Sequence, residues 1–299
     1  MKHKIRDYVV FYFRFLIAAA IFLIACNYWL KPNHSVNVNY GKIKIVPKES
    51  GGWHMTYHHS GEGRPVVIFP GLGRRFSDFE GLVLKLNQAG YETIIMDMEI
   101  NGYSENNFDG VSAELAKLVD HTVKDQPYCL IGHDFGSDII RQFVPKQTNS
   151  QIEAAIFIAP TGESIDEYYL EKRRRLYTHW QPPHRRLNAM KELYFYEDSV
   201  VPENWKKEWR GLRASTQAYI YDNSEREAWG DKNQIPVLML HGQNDPVHSA
   251  DDALKSMRDQ NILDIDVKIV PKTSRAFIPE QPTLLASETL GFLNKYCKS

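Results

Sequence analysis

The chain is poor in cysteine and carries no excess of either charge. Three cysteines in 299 residues, at Cys26, Cys129 and Cys297, are too few and too scattered for a disulfide framework or a zinc site. Thirty-six basic residues against 37 acidic ones leave a net charge of −1. That balance lacks the basic excess on which nucleic-acid binding depends. Internal repeats and low-complexity segments are missing too. What is present is ordinary globular composition, 43 % apolar and 24 % charged, which excludes a disordered or collagen-like chain. Beyond the first 40 residues there is room for one large α/β domain or two small ones.

The first thirty residues stand apart. Lys2, Lys4 and Arg6 precede an apolar stretch from Tyr8 to Leu30 that only Arg14 interrupts. Its uncharged part, FLIAAAIFLIA over 15–25, has signal-peptide length and falls short of the ~20 residues of a spanning helix. Leu23-Ile24-Ala25-Cys26 resembles the bacterial lipobox, in which the cysteine is lipidated and becomes the new N-terminus. Tyr28 and Trp29 suit the aromatic belt of a single span instead. A lipoprotein signal and an uncleaved anchor therefore both stand. Each makes membrane lipid a partner of residues 1–30, with 31–40 as linker, and places the remainder outside the cytoplasm, because basic residues stay inside.

After residue 40, β-branched apolar runs alternate with helical patterns, the mark of a parallel sheet covered on both faces. Strands are predicted at 43–46, 53–59, 66–69, 93–98, 128–131, 154–159, 237–240 and 266–270. Helices are predicted after Ser77 or Asp78 as cap, over 111–124, directly after Gly136, and over 284–296. Between the sixth and seventh strands, 161–234 read as a helical, loop-rich insert. Trp205 and Trp209 are four apart and are predicted to share a helix face there. The arginines at 173–175 and 185–186 read as a solvated face balanced by acids, with anionic lipid headgroups as the other reading.

The chemistry concentrates at Gly132-His133-Asp134-Phe135-Gly136. A strand, a tight turn flanked by glycines and a helix form the nucleophile-elbow arrangement, whose central residue is strained and crowded. Pro70-Gly71-Leu72-Gly73 ends an earlier strand and can offer a backbone N–H to an oxyanion hole; Leu72 and Phe135 are its candidate donors. Asp97 with Gly102 and Ser104 marks the loop after the next strand, and Asp245 lies just beyond a late strand. His54, His58, His59 and His133 lack a third ligand of suitable type nearby, so neither a metal nor a cofactor is expected.

With these motifs, residues 40–298 resemble the α/β-hydrolase superfamily, and a bacterial branch of it with PGLGR after the third strand and Ile278-Pro279-Glu280-Gln281-Pro282 before the last helix. The resemblance implies a core of 41–160 and 235–299 and a helical cap of 161–234 over the active site. It also implies a triad of nucleophile at 134, acid at 245 and histidine at 275, acting on a small-molecule substrate. Here position 134 is aspartate and position 275 is arginine, and no histidine follows His248. Arginine cannot act as a general base. At the elbow aspartate the chain is also similar to haloalkane dehalogenases and epoxide hydrolases, where a carboxylate attacks carbon and an ester intermediate forms.

Three readings of the site follow. Asp134 is a nucleophile with His248, three residues after Asp245 in what reads as an exposed surface loop, as substitute base, giving a hydrolase of a small apolar or weakly anionic substrate. Alternatively, Asp134 and Asp245 pair with Arg275 in a buried ionic network, leaving a ligand-binding or scaffolding pseudoenzyme. In the third, Arg275 grips an anionic substrate while Asp134 works on it.

Overall fold

The computed structural model describes residues 42–47, 54–97, 107–147, 151–163, 166–177, 182–231 and 234–297. The N-terminal segment 1–30, the linker 31–40 and the loop bearing Gly102 and Ser104 lie outside the described residues. Among the described residues no helix is long and apolar enough to cross a membrane.

Among the described residues, eight strands form one sheet: β1 (Lys42–Pro47), β2 (His54–Ser60), β3 (Arg64–Phe69), β4 (Tyr91–Asp97), β5 (Tyr128–His133), β6 (Ile152–Ile158), β7 (Val237–Gly242) and β8 (Ile265–Val270). Their order is β1-β2-β4-β3-β5-β6-β7-β8; β2 pairs antiparallel with both β1 and β4, and every other pair is parallel. Every residue of β5 and β7 is buried, which explains their unbroken apolar runs: a parallel strand covered on both faces has no polar side. The order reverses at β3, so the loops after β3 and β5 lie side by side. Ligands of open α/β sheets bind in such crevices at the carboxyl ends of the strands.

The helices are α1 (Glu80–Gln88), α2 (Phe108–Thr122), α3 (Phe135–Phe143), α4 (Glu167–Tyr177), α5 (Pro183–Tyr194), α6 (Glu203–Lys207), α7 (Gly211–Asn223), α8 (Ala250–Asp259), α9 (Phe277–Glu280) and α10 (Pro282–Tyr296). Asn107 caps α2 by accepting the Gly110 N–H at 2.9 Å, and the Ser249 hydroxyl accepts the Asp252 N–H of α8 at 3.1 Å. Helices α4 to α7 all fall between β6 and β7.

Local details differ from the sequence expectation in three places. Ser77 and Asp78 do not cap α1: they lie in a 3₁₀ turn over Phe76–Phe79 and are buried. Ser77 Oγ donates to Glu208 Oε2 at 2.6 Å, and Asp78 takes the Arg74 guanidinium, whose Nε is 2.7 Å away. Tertiary partners have claimed both side chains. Trp209 lies beyond α6 rather than on one helix with Trp205. Both indoles are buried, packed edge-on against Tyr194, and Trp209 Nε1 donates to the Leu176 carbonyl at 2.9 Å.

The third difference of substance is a covalent one. Cys129 of β5 and Cys297, just past α10, are paired in a disulfide, Cα to Cα 6.2 Å, across 168 residues of sequence. It fastens the last helix to a central strand. Closing so long a loop removes much entropy from the unfolded chain. Reduction, or the Cys129→Ala/Cys297→Ala pair of substitutions, is expected to cost ~3–5 kcal/mol of stability. Urea midpoints with and without reductant measure this, and identical midpoints would refute it.

Candidate active site

The elbow is built as its glycines require. Asp134 has φ 51° and ψ −121°, a conformation side chains other than glycine rarely take. It is held from both sides, its N–H donating to Ile158 O at 2.9 Å and its carbonyl accepting from Ser137 N at 2.9 Å. A Cβ on Gly136 would overlap the Phe69 carbonyl of β3, and one on Gly132 would overlap the Gly136 backbone. Glycine two residues either side of Asp134 is therefore a packing necessity here. Phe135 is buried as the first residue of α3 and packs against Phe108.

The loops after β3, β5, β7 and β8 meet at a guanidinium. Arg275 is 3 % exposed. Its Nη1 donates to Asp134 Oδ1 at 2.5 Å, its Nη2 lies 3.1 Å from Asp245 Oδ2, and its Nε donates to Asp245 Oδ1 at 3.3 Å. The second Asp134 oxygen, Oδ2, accepts the Leu72 N–H at 3.2 Å and the Tyr194 hydroxyl at 3.4 Å. Asp245 Oδ1 also accepts the N–H groups of Val247 and His248, at 2.9 and 3.2 Å. Both oxygens of Asp134 are thus engaged, and the candidate oxyanion donor Leu72 is spent on the carboxylate itself.

Electrostatics follow from this burial. Desolvation disfavours the Arg275 charge, but Asp245 and Asp134 outweigh it and raise its pKa, so the guanidinium stays charged. Burial beside Asp134 pushes the Tyr194 hydroxyl well above its usual value, which keeps it a donor. His133 and His241 are lowered by desolvation and sit neutral around the network. His133 Nε2 donates to the Arg275 carbonyl at 2.9 Å and so helps seat the arginine backbone.

His248, expected in an exposed loop, is 2 % exposed. Its Nδ1 pairs with Asp252 Oδ2 at 3.1 Å. Burial, then Arg275, His241, Arg226 and Arg141, push its pKa down to about 2 despite that carboxylate. Asp134, Arg275 and His248 line one cavity of about 40 Å³, together with Leu72, Phe135, Tyr194 and residues of the insert. That volume holds a few heavy atoms and no drug-sized ligand.

Several participants escape a sequence reading. Tyr194 comes from the insert and carries no motif. Asp138 and Asp252 stand four residues after Asp134 and His248, one helical turn on, which is the one signal that could have found them. Asp97 faces Arg213 and Arg75, at 2.7 and 3.1 Å, and its pKa is lowered because these cations outweigh its desolvation. His58 is buried with its ring stacked on Phe76 at 3.4 Å between centroids. Among the described residues the cluster with metal-ligand spacing is Cys129, Glu153 and Cys297, and its sulfurs are bonded to each other.

The family described as serine aminopeptidase, S33, matches residues 63–274. The chain belongs to this family. It is thereby a member of the α/β-hydrolase superfamily. A relative is the non-heme haloperoxidase of Rhodococcus erythropolis, 23 % identical over 277 residues, covering 82 % of this chain and 97 % of the relative. Similar folds include a bromoperoxidase from Bacillus anthracis, with TM-score 0.68 and 16 % identity over 85 % of this chain and 100 % of that one. A membrane phospholipase A gives TM-score 0.71 at 16 % identity, with 100 % of both chains covered.

The network makes a clear energetic claim. Arg275→Ala leaves two buried carboxylates facing each other without their cation. The expected loss is ~3–5 kcal/mol, whereas Asp134→Asn/Arg275→Met/Asp245→Asn, which removes every charge together, costs much less. Urea midpoints of the variants decide it. A loss below about 1 kcal/mol for Arg275→Ala would mean that the guanidinium does not bind both carboxylates.

Proposed function

We propose that this family member does not hydrolyse esters and serves as a ligand-binding protein, tethered to a membrane through residues 1–30 and facing away from the cytoplasm. The observation that carries the reading is Arg275, whose guanidinium lies between Asp134 and Asp245 where the family resemblance implies a histidine. Acyl transfer needs a nucleophile, a base to take its proton and free donors for the oxyanion. Here the elbow carboxylate has no proton to give and is salt-bridged. Arg275 cannot accept a proton, and the Leu72 N–H is already bound to Asp134 Oδ2.

The rival reading keeps Asp134 as a nucleophile towards alkyl carbon with His248 as base. It is disfavoured because Asp134 Oδ1 is held by Arg275 and because an imidazole with pKa about 2 is a feeble base near neutrality. The tether rests on the basic N-terminal flank and its apolar run. The Cys129–Cys297 disulfide supports an oxidising compartment, where such bonds persist.

Purified protein is expected to leave p-nitrophenyl acetate and butyrate at the buffer rate. Asp134→Ser/Arg275→His restores a proton-bearing nucleophile and a base beside Asp245, and should gain at least ~10²-fold over the parent. Ester turnover by the parent that disappears in Asp134→Asn would overturn the non-hydrolytic reading. For the tether, full-length chain should sediment with membranes, while a chain lacking residues 1–35 should be soluble and folded. Full-length protein in the soluble fraction would refute it.

A further inference from the structure

β8 is an edge strand: it pairs with β7 on one side and, among the described residues, with no strand on the other. Its four central residues, Asp266 to Ile269, are exposed. An open edge presents a row of unpaired N–H and C=O groups, a template for another strand. The bonds to β7 show which groups point outward. Val237 N–H donates to the Asp264 carbonyl at 2.8 Å, and Gln243 N–H to the Val270 carbonyl at 2.9 Å. Backbone groups alternate sides along a strand, so even-numbered residues face β7. Ile265, Val267 and Ile269 turn their N–H and C=O to the free edge. Side chains alternate between the two faces as well. Lys268 Nζ lies 3.1 Å from Glu288 of α10, which puts Asp266 and Lys268 on the α10 face. The opposite face carries Ile265, Val267 and Ile269, the last two 39 % and 46 % exposed.

We propose that β8 is a self-association edge, on which a second copy of this chain lays its own β8 antiparallel about a two-fold axis through Val267. The strand is its own complement in that register. Val267 lies opposite the partner's Val267, Ile265 opposite the partner's Ile269, and Asp266 opposite the partner's Lys268. The outward-facing residues then meet as hydrogen-bonded pairs, as an antiparallel ladder requires. The two Asp266–Lys268 pairs fall at the non-hydrogen-bonded positions, where side chains approach most closely. Neighbouring registers fail. A slide of two residues one way sets Asp266 against itself, and two the other way sets Lys268 against itself; like charges directly opposite are destabilising. A slide of one residue sets inward backbone groups against outward ones and the apolar face against the charged one.

Lysine on an edge strand ordinarily keeps other strands away. In the two-fold register Lys268 instead sits between Glu288 of its own chain and the partner's Asp266, so the guard against strange strands becomes a contact for an identical one. Each copy uses the same patch, so the contact closes at a dimer and does not propagate into a filament. The sheet runs on through both copies, and the two sets of Ile265, Val267 and Ile269 form one apolar strip on the face away from α10. The inference concerns the outer edge of the sheet and does not depend on whether the site at Asp134 binds or hydrolyses.

The test is sedimentation of the full-length protein in density-matched detergent. The parent should be a dimer. Val267→Pro removes the central outward N–H while leaving the bonds to β7, so it should be a monomer with the parent's circular dichroism. Asp266→Lys and Lys268→Asp each set like charges opposite twice per dimer, and each should weaken the dimer at least ~10-fold. Combined, they restore unlike pairs and should recover most of that loss. Lys268→Asp also forfeits Glu288 within its own chain, but the double variant forfeits it equally, so recovery reports contact between copies. A parent that stays monomeric at ~100 μM overturns the inference. So does a dimer that survives Val267→Pro, because its contact lies elsewhere. If Val267→Pro loses the parent's circular dichroism, the charge series decides alone: a double variant no better than the single ones overturns the register and the proposal with it.

Discussion

One buried cation organises the site end of this molecule. Arg275 comes from the loop after β8 and binds carboxylates from the loops after β5 and β7. Around it the insert is stitched to the same loop. Ala276 N donates to the Tyr194 carbonyl at 2.6 Å, and Glu280 accepts the N–H groups of Tyr196 and Ser274, both at 2.6 Å. Ionising three side chains out of water is unfavourable unless every lone pair finds a partner. The second Asp134 oxygen finds Leu72 N and Tyr194. The closed state of the insert is therefore part of the electrostatic solution: Tyr194 belongs to α5, and moving α5 away would strip a donor from a buried carboxylate.

This arrangement keeps the frame of a nucleophile elbow and changes the charges set within it. The strained backbone at Asp134 persists, and so do the crowding glycines and the Leu72 N–H. What changes is the charge each position carries. In a working triad the oxyanion donor waits for charge that develops during reaction. Here the donor already bonds to the Asp134 carboxylate in the resting protein. His133 and His241, held neutral by burial, border the network without adding a fourth ion to it.

The fold was legible wherever a feature repeats along the chain. Unbroken apolar runs mark β5 to β7 because those strands are covered on both faces, and the glycine spacing marks the elbow because close packing demands it there. Features set by contacts between distant residues were illegible. Ser77 and Asp78 look like helix caps, yet Glu208 and Arg74 claim them. Cys129 and Cys297 look like strays because 168 residues separate them. His248 looks exposed, and it becomes buried because Asp252 and the insert close around it. The departures at 134 and 275 could be seen in the sequence, whereas their meeting at 2.5 Å is a property of the folded chain.

Asp134 and Arg275 make physical sense chiefly as a unit. An aspartate at 134 facing a neutral histidine at 275 would put two carboxylates near each other with no cation between them, raising at least one carboxyl pKa. An arginine at 275 facing serine at 134 would keep one ion pair with Asp245 but leave guanidinium donors unmatched. Together they form two carboxylates on one guanidinium, with the residual negative charge spread over backbone N–H groups and one hydroxyl. Such a network contributes little net stability compared with apolar packing of the same shape. It joins the loops after β5, β7 and β8 and, through Tyr194, one insert helix.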